Sequence, residues 1–429
     1  MREYFHSVVL NDEKCIGCTN CMRRCPTEAI RVRNKKAVIT KERCIDCGEC
    51  IRVCPSHAQN SVTDDLSRLK EFKFNIAIPS ISLYGQFNSS VDMDRVYEGI
   101  REIGFDCVFD EGIAADILTN VIKHMINRKD IRKPIISSMC PAILRLIQVK
   151  FPSLIENIVN VESPMEIAGR LAREAAERQY GYKSEEIGVF CLASCPAKVT
   201  SIMKPIGIEK SSLNGAIAIN KIYGPVVEKM KRIESCNHYE KGTVNGISWA
   251  TVGGQSKSIG IDNYIAVDGI ENVIGVLEKM ELGKLDSVVY FEGLACMGGC
   301  VGGPLNVENP FIAKSIIERL SYYTGYNVTA TKYTDEDYIK KILEDGIINW
   351  TNKIKQKGIL NLDEDINRAM EKLARMKRIE NALPGLDCGS CGAPTCHALA
   401  EDTIRGFAQV KDCIFIKDLK KLNDDGGEI

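Results

Sequence analysis

The residues best suited to chemistry in this chain are thiols, and their spacing is not that of a disulfide scaffold. Cys296 and Cys300 stand four apart in Phe291-Glu-Gly-Leu-Ala-Cys296-Met-Gly-Gly-Cys300-Val-Gly-Gly-Pro304, a run with five glycines and a proline. The preceding Ser287-Val-Val-Tyr-Phe291 reads as a buried strand, β-branched and aromatic. Glycine at this density excludes regular structure and lets backbone come close to something bulky. Two thiolates on such a loop suggest a metal cluster pressed against the main chain, the alternative being a glycine-rich turn with two buried cysteines. Cys140 closes Pro134-Ile-Ile-Ser-Ser-Met-Cys140-Pro141, and Cys195 lies in Gly188-Val-Phe-Cys-Leu-Ala-Ser-Cys195-Pro196-Ala-Lys198. Each ends an apolar run and precedes proline, the pattern of a strand followed by a turn. Three strand ends delivering Cys, Cys and Cys-x3-Cys to one place would ligate one 4Fe-4S cubane.

Two further groups of cysteines flank these loops. Cys15-x2-Cys18-x2-Cys21-x3-Cys25-Pro26 is repeated as Cys44-x2-Cys47-x2-Cys50-x3-Cys54-Pro55. This is bacterial ferredoxin spacing, in which the fourth cysteine serves the other cluster. Cys15, Cys18, Cys21 and Cys54 are therefore expected to hold one 4Fe-4S cluster, and Cys44, Cys47, Cys50 and Cys25 a second, on a frame of two short hairpins and two helical turns. Zinc, the competing ion, favours paired Cys-x2-Cys units over triplets. Arg23, Arg24, Arg33, Lys35 and Lys36 read as a solvated surface, or as a docking face for an acidic redox partner. Near the other end, Cys388-x2-Cys391-Gly-x-Pro-x-Cys396 precedes Cys413 by seventeen positions. The arrangement resembles the small 4Fe-4S domain of electron-transfer and corrinoid iron-sulfur proteins, with zinc again the alternative. Ala398–Lys411 is the helix expected to return Cys413, and His397 is expected on its surface. Cys107 and Cys191 are expected in the core, and Cys236 exposed.

The elements that must position these thiols alternate. Strands are expected at Asn75–Ser82, Asp106–Phe109, Pro134–Ser138 and Ile187–Cys191, and helices at Asp92–Ile103, Asp116–Asn127 and Glu166–Gln179. Alternation of this kind argues an α/β domain with a mostly parallel sheet, whose ligands gather at the carboxyl ends of its strands. Residues 63–72 read as a charged linker. Residues 334–380 read as helices, with Asp363–Asn381 an amphipathic connector. The expected domains are 1–62, 73–345, a helical connector 346–381, and 382–429. The chain has 429 residues, a net charge of −1 and 26% charged residues, so it carries no basic footprint for nucleic acid. Nineteen cysteines at cluster spacings imply a reducing interior. No apolar run reaches membrane-span length and no signal peptide is visible, so the expectation is a cytoplasmic protein of an anaerobe with no membrane partner.

Taken with Gly104-Phe-Asp-Cys-Val-Phe-Asp110 and Ala114-Ala-Asp116, the three cysteine loops resemble the active-site domain of FeFe-hydrogenases over roughly residues 74–345. The resemblance implies an H-cluster domain of two α/β lobes. Cys140, Cys195, Cys296 and Cys300 would hold a cubane, and Cys300 would also bridge to a two-iron subsite carrying CO, cyanide and a dithiolate. Lys198 matches the lysine that hydrogen-bonds a cyanide. The implied reaction is reversible cleavage of H2 into two protons and two electrons, exchanged with a ferredoxin or a separate signalling protein. Oligomeric state stays open, a homodimer included.

Where fast enzymes of that family place proton-path residues, this chain departs. Met139 replaces the cysteine before the first ligand, and its thioether carries no proton at neutral pH. Ile143 stands in place of Trp. Ala193, Leu294 and Met165 replace two methionines and a glutamine, and Ile117–Lys123 lacks the paired glutamates. The departures, and the C-terminal cysteine segment, resemble the sensory FeFe-hydrogenases, implying a slow enzyme that serves as a hydrogen or redox sensor. Glu292 and Glu166 are the alternative proton route, Glu166 being equally readable as a carboxylate favoured by a helix N-terminus. The rival function is a non-catalytic electron-transfer protein or scaffold that keeps only the cubane. A third is a ferredoxin-like subunit of a larger enzyme.

Overall fold

The computed structural model describes residues 5–128, 131–320 and 333–416. These gather into two compact units. The first holds residues up to Cys44, then Glu49–Ser61, then those from Lys357 onward; the second holds Ile45–Gly48 and Val62–Gln356. The division at 356/357 falls inside the stretch expected as connector.

The N-terminal part of the first unit runs β1 (Val8–Leu10), α1 (Asn20–Arg23), β2 (Ile30–Arg33), β3 (Lys36–Ile39), α2 (Glu49–Arg52) and β4 (Gln59–Ser61). Among the described residues of this part only β2–β3 is a hairpin, turning on Asn34 and Lys35, both with positive φ as a two-residue primed turn requires. The second hairpin expected is instead a long-range antiparallel pairing of β1 with β4, which joins the two ends of the repeat.

In the second unit, β5 (Phe74–Pro79), α3 (Met93–Glu102), β6 (Cys107–Val108), α4 (Glu111–Ile126), β7 (Ile135–Ile136), α5 (Pro141–Lys150), α6 (Pro164–Tyr180), β8 (Ile187–Ala193), α7 (Pro196–Met203) and β9 (Gly215–Ala218) alternate as expected. They are followed by α8 (Ile219–Met230), α9 (Val244–Ser248), α10 (Gly254–Ile259), β10 (Tyr264–Asp268), α11 (Ile270–Glu281), β11 (Tyr290–Leu294), α12 (Pro310–Leu320) and α13 (Glu336–Asp345). Two parallel sheets result, in the orders β6-β5-β8-β9 and β10-β11-β7. Every residue of β5 and β8 is buried, as continuous apolar strands covered on both faces must be. Burying side chains such as Ile76 and Ile78 stabilises by roughly 1.5–3 kcal/mol each.

Boundaries moved where side chains take over from periodicity. The strand expected to Ser82 stops at Pro79 and gives way to a 3-10 turn, Ile81–Gln86. The helix expected from Asp116 starts at Glu111, because the Asp110 carboxylate accepts from the Gly112 amide at 2.6 Å and caps it. The expected linker is packed: Asp64 accepts from Arg68 and from the Ala216 amide. Back in the first unit, α14 (Ile366–Ala382) forms near its expected bounds, with Met376 buried but Ile366, Met370 and Leu373 of the same stripe exposed, and α15 (Cys396–Ile404) ends well before Lys411. Gly406, at φ +78°, breaks it, and a short 3-10 turn, Val410–Asp412, brings in Cys413. Residues 346–365, read as helical, hold only the 3-10 turn Gly358–Leu360.

Candidate metal centre

Three strand ends, drawn from both sheets of the second unit, deliver the central thiols. β7 leads into Cys140, β8 into Cys195 and β11 into Cys296 and Cys300. Cys140 and Cys195 occupy the N-cap positions of α5 and α7, each followed by proline at the first helical position. A thiolate there faces the positive end of the helix. None of the described cysteines is in a disulfide.

The Cys296–Pro304 loop is glycine-rich because it threads between other backbones. At Gly299, φ +103°, an added Cβ would lie 2.6 Å from the Ala250 carbonyl oxygen. At Gly303 it would lie 2.2 Å from that of Ser194, which accepts from the Leu305 amide at 2.9 Å. Asn306 closes the loop by donating to the carbonyls of Cys300 and Val301, both at 2.9 Å. Gly303→Ala is expected to push the loop off Ser194 and to cost about 1–3 kcal/mol. An unchanged thermal midpoint would contradict that packing.

The four thiols lie within electrostatic reach of one another. Burial pushes the Cys300 thiol well up; the Lys198 ammonium opposes this, and the charges of Cys140, Cys195 and Cys296 add to it. Cys195 is pushed up to about 11 by burial, with Cys140 adding. Buried thiols that repel one another as thiolates suit a multivalent cationic cluster, which supplies the missing counter-charge.

Lys198, on α7, is 4% exposed. Its Nζ donates to Glu111 Oε1 at 2.7 Å and Oε2 at 2.8 Å, and to Ser80 Oγ at 3.1 Å. Burial disfavours its charge, but the Glu111 carboxylate and the Cys191 and Cys300 thiolates outweigh that and raise its pKa. Sequence reasoning missed Glu111, although a carboxylate opening an otherwise apolar helix was a signal. It also accepts from the Ile81 amide at 2.9 Å.

Glu292 and Glu166 are fully buried but bonded elsewhere. Glu292 accepts from the Gly253 amide at 3.0 Å and from the Ser256 amide and hydroxyl at 2.9 and 2.8 Å, at the start of α10. Glu166, in the first turn of α6, accepts from the Ser211 hydroxyl and the Ser212 amide, both at 2.7 Å. Among the described residues neither bonds a cysteine loop, and Glu166 acts by its charge on Cys191, inside β8. Burial raises Glu166 from 4.5 to about 7. The folded state thus binds this proton more tightly than the unfolded chain, and stability contributed by Glu166 falls as pH rises from about 4.5 to 7. Glu166→Gln is expected to remove that slope, worth roughly 3 kcal/mol across the window. Parallel pH–stability curves for variant and wild type would refute it.

In the first unit, Cys21 is pushed up to about 11 by burial; Gln59 opposes this, and the charges of Cys18, Cys54 and Cys15 add. The two halves of the repeat match in detail. The Ala29 amide donates to Cys25 Sγ and the Ala58 amide to Cys54 Sγ, each at 3.2 Å. Donors of this kind stabilise cluster sulfur. Cys44 and Cys50 lie in this unit, while Cys47 falls in Ile45–Gly48, which groups with the second. There Gly48, φ +76°, packs on Pro196 and Pro304. Cys391 is raised by burial, with Cys413 and Cys388 adding; Cys396 opens α15. His397 pairs with Glu380 at the surface, at 3.0 Å. Cys191 is buried, Cys107 half-buried and Cys236 exposed. Among the described residues no helix is long and apolar enough to cross a membrane.

Comparison with known proteins agrees with this layout. Residues 74–211 and 209–304 match the model of the family described as "Iron only hydrogenase large subunit, C-terminal domain". Residues 7–55 match a 4Fe-4S dicluster domain, and 383–415 match an Fe-S cluster model. A periplasmic [Fe] hydrogenase large subunit from Nitratidesulfovibrio vulgaris is 25% identical over 366 residues, covering 70% of this chain and 86% of that one. The cytosolic Fe-S cluster assembly factor NAR1 of Meyerozyma guilliermondii is 26% identical over 162 residues, 34% of this chain and 30% of its own. Among solved structures, an apo [FeFe]-hydrogenase HydA1 variant from Chlamydomonas reinhardtii aligns with a TM-score of 0.50 at 13% identity, covering 67% of this chain and 95% of that one.

Proposed function

The chain belongs to the iron-only hydrogenase large-subunit family, and from that premise we propose that it binds H2 and cleaves it reversibly into two protons and two electrons, slowly, as a hydrogen or redox sensor. The observation that carries the reading is the gathering of Cys140, Cys195, Cys296 and Cys300 beside a buried lysine. The four thiolates would hold a cubane, with Cys300 also bridging to a two-iron unit. When bound, that unit supplies an open low-valent iron and an amine base for heterolysis.

The protein's own part is orientation, charge and exclusion of water. Lys198 Nζ keeps its protons because Glu111 stabilises the ammonium, so a positive donor stands ready beside Cys300. Met139, Ile143, Ala193 and Leu294 are all buried and apolar, and none of them passes a proton. Slow turnover follows from that wall. Glu166 and Glu292 remain the carboxylates for a longer proton route, and unchanged turnover in Glu292→Gln at several pH values would eliminate Glu292. Electrons would leave through that cubane and then through the clusters of the N-terminal repeat or the cluster of the C-terminal segment.

The similarity to NAR1 supports a second reading, a cubane protein without H2 chemistry. Loading the purified protein with a synthetic two-iron cofactor separates them. CO and cyanide infrared bands with slow H2 turnover support the first reading; no bands after loading supports the second. Turnover at the rate of fast hydrogenases would remove the sensor role.

A further inference from the structure

Within the first unit, the C-terminal cysteine segment is seated on the N-terminal repeat. The Val32 amide donates to the Gly392 carbonyl at 2.9 Å, and a Cβ on Gly392, φ +80°, would lie 2.0 Å from the Val32 carbonyl oxygen. Gly389 rests on Met22 and Arg23 of α1, the helix that carries Cys21. Two arginines reach from the repeat to the cysteines. Arg33 Nη1 donates to the Cys391 carbonyl at 3.0 Å, and Arg23 Nη2 to the Cys388 carbonyl. Beside them, Arg31 and Arg33 share Asp402, while Arg43 and Arg405 share Glu401. Arg31, Arg43, Glu401 and Asp402 are all buried. Four guanidinium groups thus share two carboxylates, while the Asp387 carboxylate, next to Cys388, accepts from the Cys396 amide at 2.6 Å.

We propose that Arg23 and Arg33 set the reduction potential of the cluster on Cys388, Cys391, Cys396 and Cys413, making the N-terminal repeat and the C-terminal segment one redox unit. This rests on those cysteines holding a 4Fe-4S cluster, and not on H2 chemistry. Reduction adds one electron to the cluster and breaks no bond. Positive charge on the ligand carbonyls stabilises the added electron and raises the potential. Linkage then runs both ways: the factor by which docking favours reduction is the factor by which reduction tightens docking.

The test is an EPR-monitored redox titration of the full chain, with amide exchange at Val32 as the measure of docking. Cys413→Ser assigns the signal by removing it; if no signal is lost, the cluster reading itself falls. Arg33→Gln and Arg23→Gln are each expected to lower the midpoint of that signal by about a tenfold change in equilibrium, roughly 59 mV for one electron. Arg33→Lys should recover most of the loss. Arg24→Gln, an exposed neighbour, should leave it in place. A midpoint unmoved in Arg33→Gln with Val32 still protected overturns the proposal, as does an equal shift in Arg24→Gln. Reduction should slow exchange at Val32 in the wild type; exchange that ignores redox state also overturns it.

Discussion

Glu111→Ala is expected to destabilise the second unit by about 3–5 kcal/mol, because it strands a buried ammonium. The side chains of Lys198 and Glu111 are 5% and 1% exposed, so water cannot replace the lost partner. The Ile81 amide would lose its acceptor at the same time. The thermal midpoint of the purified chain should fall by roughly 10 °C. Replacing both members, Lys198→Met with Glu111→Leu, should restore most of that, since an apolar pair of similar volume leaves no charge in the core. The cycle therefore has to be strongly non-additive. A double variant as unstable as the two single losses summed would show that the ions do not act as a pair.

If the chain holds the four cubanes proposed for it, Cys300→Ser is expected to cost about a quarter of its iron and all capacity for the synthetic two-iron unit. A serine alkoxide is a poor substitute for a thiolate on iron, and burial makes it poorer. Cys191→Ser provides the contrast. That thiol is buried and feels the charges of Lys198, Glu111, Cys195 and Glu166, yet it lies inside β8 rather than past its end. Its iron content and infrared bands should match the wild type. Should Cys191→Ser lose iron as Cys300→Ser does, the ligand set has been drawn wrongly.

The fold class and the thiol loops were legible because their signals are local. Cysteine triplets, proline after a strand, and apolar runs of strand length each lie within a dozen residues. What could not be read was sidedness and long-range charge. Glu292 stands four residues before Cys296, and proximity in sequence suggested a shared site. In the fold, however, the Glu292 carboxylate is held at the start of α10, where Ser256 and Gly253 occupy its oxygens. The partner of Lys198 lies 87 positions earlier, on a helix whose start was placed too late. Arg23 and Arg33 read as surface because nothing near them in sequence announces carbonyls more than 350 positions away.

The split membership of the first unit bears on how the protein is made. Its N-terminal repeat leaves the ribosome early, but Gly392, Glu401 and Asp402 emerge only after the whole stretch Val62–Gln356 has been translated. Until then Arg31 and Arg43 have no carboxylates to meet, and the hairpin that carries Val32 offers an unoccupied edge. Nascent chains stalled short of residue 388 should therefore expose that edge, and limited proteolysis should cut the hairpin in them faster than in chains that reach residue 416.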